Sequence, residues 1–288
     1  MQSAGSLRRR IRSISNTSLI TKAMQMVAAS EMRRAQDAAL AGRPFVRLIY
    51  RIQRATSGRL GDYTHPMLEV REVRKQAIVL VTTDKGLCGA LNANLFRLAS
   101  QFDPNTTLFV AAGRQGAQFV ARTHRQLVAE YTYCETPRFS DAVAIGSFVC
   151  NLFLKREVDA VRVIASRFIN TLNQQPMCLE FLPIGRIKDF EMTWTDAELP
   201  PTDHKPECLF EPGREDVLEF FLSRYANIYM YQVLLNSRAS EHSARMVSMK
   251  NATESAEALI ADLTLEYNKL RQGNITKELL EIAGGQAS

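Results

Sequence analysis

The stretch Met249–Leu270, MKNATESAEALIADLTLEYNKL, decides how the chain is organised. Its apolar residues recur at Met249, Ala252, Ala256, Leu259, Leu263, Tyr267 and Leu270, in steps of three and four, which places one face on a seam with a partner helix. From Gly213 to Ala283 there is no proline, and Gly273 is the only internal glycine. Glu211-Pro212-Gly213 reads as a turn, and Glu215 and Asp216 set acids in the first helical turn, where they complement its positive end. The expectation is one helix of about 70 residues, roughly 105 Å long. Such a rod needs a partner.

The partner lies at the other end of the sequence. Leu7, Ile11, Ile14, Ile20, Met24 and Val27 recur at helical spacing within residues 3–43, and Ala28-Ala29 allows close approach. The Arg- and Ser-rich, acid-poor opening has the composition of a mitochondrial presequence. Its apolar spacing continues into the Met24 region, so it reads as mature structure. Pro44 is a candidate kink, Phe45–Ile52 resumes the apolar face, and Gly58, Gly61 and Pro66 end it.

From Gln76 the period changes. Gln76–Thr83 (QAIVLVTT) is a continuous apolar run of strand length, as in strands buried on both faces. Helix and strand then alternate: helix Ala90–Phe102, strand Leu108–Ala112, helix Arg114–Arg122, strand Leu127–Tyr133, helix Ser140–Arg156, strand Ala160–Ala165. Met177–Leu182 pairs antiparallel with the last strand across the Asn170–Pro176 turn. This alternation predicts an α/β fold with an open, mostly parallel sheet, inserted between two long terminal helices that form an antiparallel coiled coil. The expected divisions are 1–60 for the first helix, 70–208 for the α/β domain and 209–288 for the last helix.

Composition narrows the function. Of 288 residues, 46% are hydrophobic and 23% charged, ordinary globular values. No apolar run is long enough to span a bilayer. Cys88, Cys134, Cys150, Cys178 and Cys208 are odd in number and lack a CxxC pair, which favours thiols in a reducing compartment over a disulfide framework or zinc site. His65, His124, His204 and His242 are far apart, so no metal site is predicted. The net charge of +6 hides an asymmetry: residues 1–59 carry twelve Lys/Arg against Glu31 and Asp37 alone. A basic arm suits nucleic acid, but without stacking aromatics or finger spacing a helix facing acidic protein surfaces is the better reading.

Two stretches stand out as candidate sites. Asp84-Lys85-Gly86-Leu87-Cys88-Gly89 follows the first strand, where α/β sheets bind ligands, and its glycines precede a helix N-terminus that can hold an anion. It matches neither GxGxxG nor GxxxxGK[ST], so a tight structural turn is the preferred reading and no cofactor is assigned. Cys88 there reads as a small packed residue. In Ser240–Val247, polar and small residues interrupt the apolar face of the long helix. That segment is either solvated or faces a surrounding protein wall. The Met24, Met26, Met246 and Met249 set is expected to line the seam.

Four blocks carry a family resemblance. Ile20-Thr21-Lys22-Ala23-Met24-Gln25-Met26-Val27-Ala28-Ala29-Ser30, Thr82–Asn92 (TTDKGLCGALN), Ser240–Lys250, and Tyr267–Gln272 with Ile275–Leu279 resemble, in order, the signatures of the gamma subunit of F-type rotary ATP synthases. The resemblance covers essentially the whole chain. It implies a central rotor shaft inside a ring of alternating catalytic and non-catalytic subunits, with the α/β domain as a foot on the membrane rotor ring beside a small epsilon-type regulatory subunit. It implies one copy per complex, no nucleic acid, no catalytic, cofactor or metal residues, and proton-driven coupling of ring rotation to ATP synthesis or hydrolysis on neighbouring subunits. By matching positions, Met24 and Arg245 face catalytic-subunit loops, Gln272, Thr276 and Glu278 make polar contacts near the top of the ring, and Glu211 sits near the foot and the regulatory subunit. Glu31 stands where lysine is common, His242 where glutamine is frequent, and Gly273 at a usual alanine. The redox-regulated cysteine insertion of chloroplast relatives is absent. The implied location is the cytoplasmic face of a bacterial cell membrane, with the matrix side of the mitochondrial inner membrane as the alternative. The competing readings are a nucleotide-binding enzyme using DKGLCG and a basic DNA-binding coiled coil.

Overall fold

A computed structural model of the chain describes residues 4–57, 65–184 and 214–285. In order, the elements are helix α1 (Ala4–Ser57), a short 3-10 turn (Pro66–Leu68), β1 (Gln76–Val81), α2 (Leu91–Ala99), β2 (Thr107–Ala112), α3 (Arg114–Arg122), β3 (Gln126–Tyr131), α4 (Phe139–Leu154), β4 (Ala160–Phe168), β5 (Gln174–Leu182) and α5 (Arg214–Gly285). The chain divides into two compact units, one of residues 1–29 with 245–288 and one of residues 30–244.

In the larger unit the strand order is β3-β2-β1-β4-β5. β1 pairs parallel with β2 and β4, β2 pairs parallel with β3, and β4 pairs antiparallel with β5. β1, apolar and buried from Ala77 to Val81, takes the centre because helices cover both faces. Ala77, Val79 and Val81 face α4 and the early part of α5, whose Tyr225, Tyr229, Met230, Val233 and Leu234 join that core. Ile78 and Leu80 face Leu95 and Ala99 of α2 and Val120 of α3. Each fully buried Val, Leu, Ile or Met among them contributes about 1.5–3 kcal/mol. Phe96 and Phe119 stack at 4.3 Å between centroids and tie α2 to α3. Asp141 fixes the start of α4 by accepting the Arg138 backbone N–H at 2.9 Å. The order of elements follows the sequence expectation. β4 and β5 each run three residues further than expected, because together they form a long hairpin whose ladder extends to Phe168 and Gln174.

The smaller unit is the helical pair. On α5 the seam runs through Met249, Ala252, Thr253, Ala256, Ile260, Leu263, Tyr267 and Leu270, all buried or half-buried. Leu259, expected on the seam, is 40% exposed and its neighbour Ile260 takes the place. On α1, Leu7, Ile11, Ile14 and Met24 lie on the buried face as expected, together with Ser18, Thr21, Gln25 and Ala28. Ile20 and Val27 do not: they are 61% and 62% exposed, and Leu19 and Met26 stand outside with them. The apolar spacing therefore mixes two stripes, one inside the pair and one on its outer face.

Candidate functional site

The loop leaving β1 is fixed before any partner is considered. Thr82 and Thr83 are buried. Thr82 Oγ1 accepts the Gly116 N–H at 2.8 Å, Thr83 Oγ1 donates to the Lys85 carbonyl at 2.7 Å, and Asn92 Nδ2 donates to Thr83 Oγ1 at 2.7 Å. Cys88 is buried with its sulfur 3.5 Å from Asn92 Nδ2, consistent with a packing role. Lys85 extends outward to Glu135 at 2.8 Å, and that bond holds the Glu135 carboxyl below its ordinary range.

The carboxylate in this loop is already engaged. Asp84 Oδ1 accepts the backbone N–H of Arg114 at 3.0 Å, so it occupies the N-terminus of α3, where an anion is favoured. Its other oxygen, Oδ2, receives Arg238 Nη2 of α5 at 3.0 Å. Arg238 is 3% exposed. The same Nη2 donates to the Tyr133 carbonyl at 2.8 Å, Nη1 donates to Glu241 Oε2 at 2.6 Å, and the guanidinium carbon lies 4.2 Å from the Tyr133 ring centroid. A buried arginine thus meets two carboxylates, a carbonyl and an aromatic face, the company such a charge requires. Burial opposes the Arg238 charge, but Tyr133, Glu241 and Asp84 outweigh it and hold its pKa above the ordinary arginine value. Burial also raises the Tyr133 phenol well above its ordinary value.

Two turns of α5 complete the arrangement. Ser240 Oγ donates to the Ser166 carbonyl of β4 at 3.2 Å, Ser243 Oγ donates to the Thr171 carbonyl at 2.8 Å, and Gln174 Nε2 donates to Ser243 Oγ at 3.3 Å. Ser240, Glu241, His242 and Ser243 are all buried. Neither sequence reading of this segment holds for these four residues. They are not on a solvated or wall-facing surface: Ser240 and Ser243 reach polar backbone at the ends of the chain's own strands, and Glu241 turns to Arg238. The crevice beyond the strand C-termini, where this sheet topology places ligands, holds the side chains of α5.

The other predicted positions are scattered. Met24 is half-buried, Met249 buried and Met26 exposed, so Met26 does not line the seam. Arg245 is buried; Gln272 and Thr276 are exposed, with Thr276 Oγ1 donating to the Gln272 carbonyl at 2.9 Å. Glu211, His204, Cys208 and the Glu278 side chain lie outside the described residues. Among the described residues no group of three metal-ligand side chains comes together. Arg238 and Tyr133 were not singled out by sequence; the only signal was a cation three residues beyond the apolar run Val233-Leu234-Leu235.

The model of a family described as ATP synthase matches residues 3–288. The ATP synthase gamma chain of Opitutus terrae is 43% identical over 290 residues, covering 99% of this chain and 98% of that protein. The chain belongs to the ATP synthase gamma-chain family. The gamma chain of Roseiflexus sp. (strain RS-1) is likewise 43% identical over 297 residues, covering 100% of this chain and 99% of that one. Among solved structures, a chain from the central stalk and c-ring of the Tetrahymena thermophila mitochondrial ATP synthase is 26% identical, with a TM-score of 0.63, covering 81% of this chain and 99% of that chain. A chain of the Euglena gracilis mitochondrial ATP synthase shares the fold at 17% identity and a TM-score of 0.68, covering 99% of this chain and 93% of that one. Members of the family are subunits of a multisubunit enzyme that works at a membrane. No helix among the described residues is long and apolar enough to cross one.

Proposed function

We propose that the chain is the central rotor shaft of a proton-translocating ATP synthase and performs no nucleotide chemistry itself. Family membership supports the shaft, and one observation carries the non-catalytic part of the reading: the strand-end crevice, the natural ligand position of the sheet, holds Arg238 in ion pairs with Asp84 and Glu241. The surrounding partners are the alternating catalytic and non-catalytic subunits of the head, an epsilon-type subunit and the membrane rotor ring, with one gamma chain per complex on the cytoplasmic face of a bacterial membrane. The outward stripe of Leu19, Ile20, Met26 and Val27 supports enclosure by other subunits, since contiguous exposed apolar surface marks an interface. Met24 and Arg245 are assigned to catalytic-subunit loops, Gln272, Thr276 and Glu278 to polar contacts near the top of the ring, and Glu211 to the regulatory subunit.

The mechanism needs no reactive group on the chain. Membrane-driven turning presents different faces of the helical pair to each catalytic site, and the differential contact energy between face and site conformation couples angle to affinity. Ala256, half-buried on α5, offers the test. A proline there removes a helical hydrogen bond and clashes with the preceding turn, costing about 3 kcal/mol or more. Assembled Ala256→Pro enzyme in sealed vesicles is expected to keep some ATP hydrolysis while losing most ATP-driven proton pumping, with Ala256→Ser near normal. A proportional fall in both activities overturns the shaft reading. Micromolar ATP binding by the isolated chain, abolished by Lys85→Ala, overturns the non-catalytic one.

A further inference from the structure

Arg238 and the serines that follow it grip α5 from two sides. At about 100° per residue, Ser240 and Ser243 project about 200° and 140° around the helix from Arg238. Arg238 bonds to the exits of β1 and β3, through Asp84 and the Tyr133 carbonyl. The serines bond to the other side of the crevice, through the Ser166 and Thr171 carbonyls of the β4–β5 hairpin. Forces applied on opposite sides of a cylinder oppose its rotation, whereas a single apolar face allows it to roll. The contacts are also directional. A turn of α5 by one residue would withdraw Arg238 from Asp84 and Tyr133 together and leave its buried charge with Glu241 alone, a disfavoured arrangement. Glu241, one turn on, holds the guanidinium in place from its own helix. The apolar contacts of Tyr229, Val233 and Leu234 supply most of the buried area but no such directional restraint.

We propose that Arg238 is a positioning residue for torque transfer: with Asp84, Glu241, Ser240 and Ser243 it fixes the rotational angle of α5 on the α/β domain. Arg238 lies within α5, which is one helix from Arg214 to Gly285, so the angle fixed there is that of the helix on the α/β domain. The proposal rests on the shaft reading and adds where the chain resists twisting. It also accounts for a buried ion cluster at a point where apolar packing alone would bury the helix but leave its rotation unrestrained. Directional contacts give a single rotational register, a specificity role that buried charges are known to serve.

The test uses the fully assembled enzyme with its head immobilised and a rotation probe on the α/β domain. In the wild type, ATP addition turns the probe; absence of turning refutes the shaft reading itself. With rotation stalled, the probe's angular variance measures torsional looseness. Arg238→Met, which keeps length and apolar packing, is expected to widen that variance at least about twofold, because one partner of a buried charge cluster is removed. Arg238→Lys, with a single cationic head, falls between, and Ser240→Ala with Ser243→Ala loosens the other side. Pumping per ATP hydrolysed falls with increasing variance. If Arg238→Met fails to assemble, Asp84→Asn decides on the same readout, since it keeps the shape and removes one charge. Wild-type variance in an assembled Arg238→Met enzyme, or in Asp84→Asn where that variant decides, overturns the clamp and leaves the shaft reading standing.

Discussion

Thr21 of α1 and Thr253 of α5 face each other across the helical pair with their hydroxyl oxygens 2.7 Å apart. Each is also within donor reach of a carbonyl on its own helix, Ser18 at 3.0 Å and Met249 at 2.9 Å. Two hydroxyl protons cannot serve three contacts at once, so one proton crosses the seam while the other turns back. A polar pair inside an apolar seam favours one axial register at a cost in stability.

Thr21→Val and Thr253→Val alone are each expected to lower stability by about 1 kcal/mol, the net worth of one hydrogen bond. The double variant should recover most of that loss, since two methyls then meet. Thermal unfolding of the full chain, arranged as a double-mutant cycle, checks this; strictly additive losses would show that the pair does not interact.

Gly113 has a φ of 114°, and a Cβ placed there would lie 2.3 Å from the Thr82 carbonyl oxygen. Gly113→Ala therefore adds overlap with fixed backbone to about 1–3 kcal/mol of conformational strain. The expected result is gross destabilisation or no folded protein. Gly86, where an added Cβ would meet nothing within 4 Å, should accept alanine with little change in melting temperature.

Leu87 carries the opposite anomaly, a φ of 63° on a large, mostly exposed side chain. The left-handed region costs a non-glycine residue about 1–2 kcal/mol. Leu87→Gly relieves that cost and gives part of it back through unfolded-chain entropy, so a gain of up to about 1 kcal/mol in chemical denaturation is expected. A loss would show that the leucine side chain contributes packing that its exposure conceals.

Asp159 joins the entrances of β1 and β4. Its Oδ2 accepts the backbone N–H groups of Arg74 and Lys75, both at 3.0 Å. The Lys75 bond, partly opposed by burial and aided by Arg74, holds its carboxyl below the ordinary aspartate range. A depressed folded-state pKa gives stability that is present above the unfolded value of about 3.9 and lost as pH falls through the folded value. Asp159→Asn is expected to cost about 1 kcal/mol at neutral pH, kept modest by solvent screening at this half-buried site. The gap from wild type should close in acid; a gap independent of pH would exclude the charge as its source.

The sequence revealed repeating features more fully than singular ones. Gln76–Val81 could hardly be anything but a central strand, and the step pattern located Met249, Ala256, Leu263 and Tyr267 on the seam. It failed where hydrophobicity is ambiguous. Leu259 and Ile260 are adjacent and both apolar, so spacing could not choose between them. On α1 the buried face includes Ser18, Thr21 and Ala28, small or polar residues that carry little apolar signal, while the conspicuous Ile20 and Val27 belong to the outer stripe. The DKGLCG loop was legible as structure but not in its purpose, because Arg238 lies 154 residues from Asp84. The buried serines were misread for the same reason: a polar helical segment is ordinarily a wet one, and its carbonyl partners come from distant strand ends.

The separation of 154 residues also sets an order of events on the ribosome. At about 5–20 residues per second, Asp84 emerges roughly 8–30 s before Arg238 exists. Thr21 waits longer still for Thr253, 232 residues downstream. The strands can pair early, but the crevice at their ends stays hydrated and the seam face of α1 stays unpaired until the final quarter has been translated. Nascent chains halted before Arg238 should therefore attract chaperones that bind apolar helices, and release from them should coincide with synthesis of the last helix.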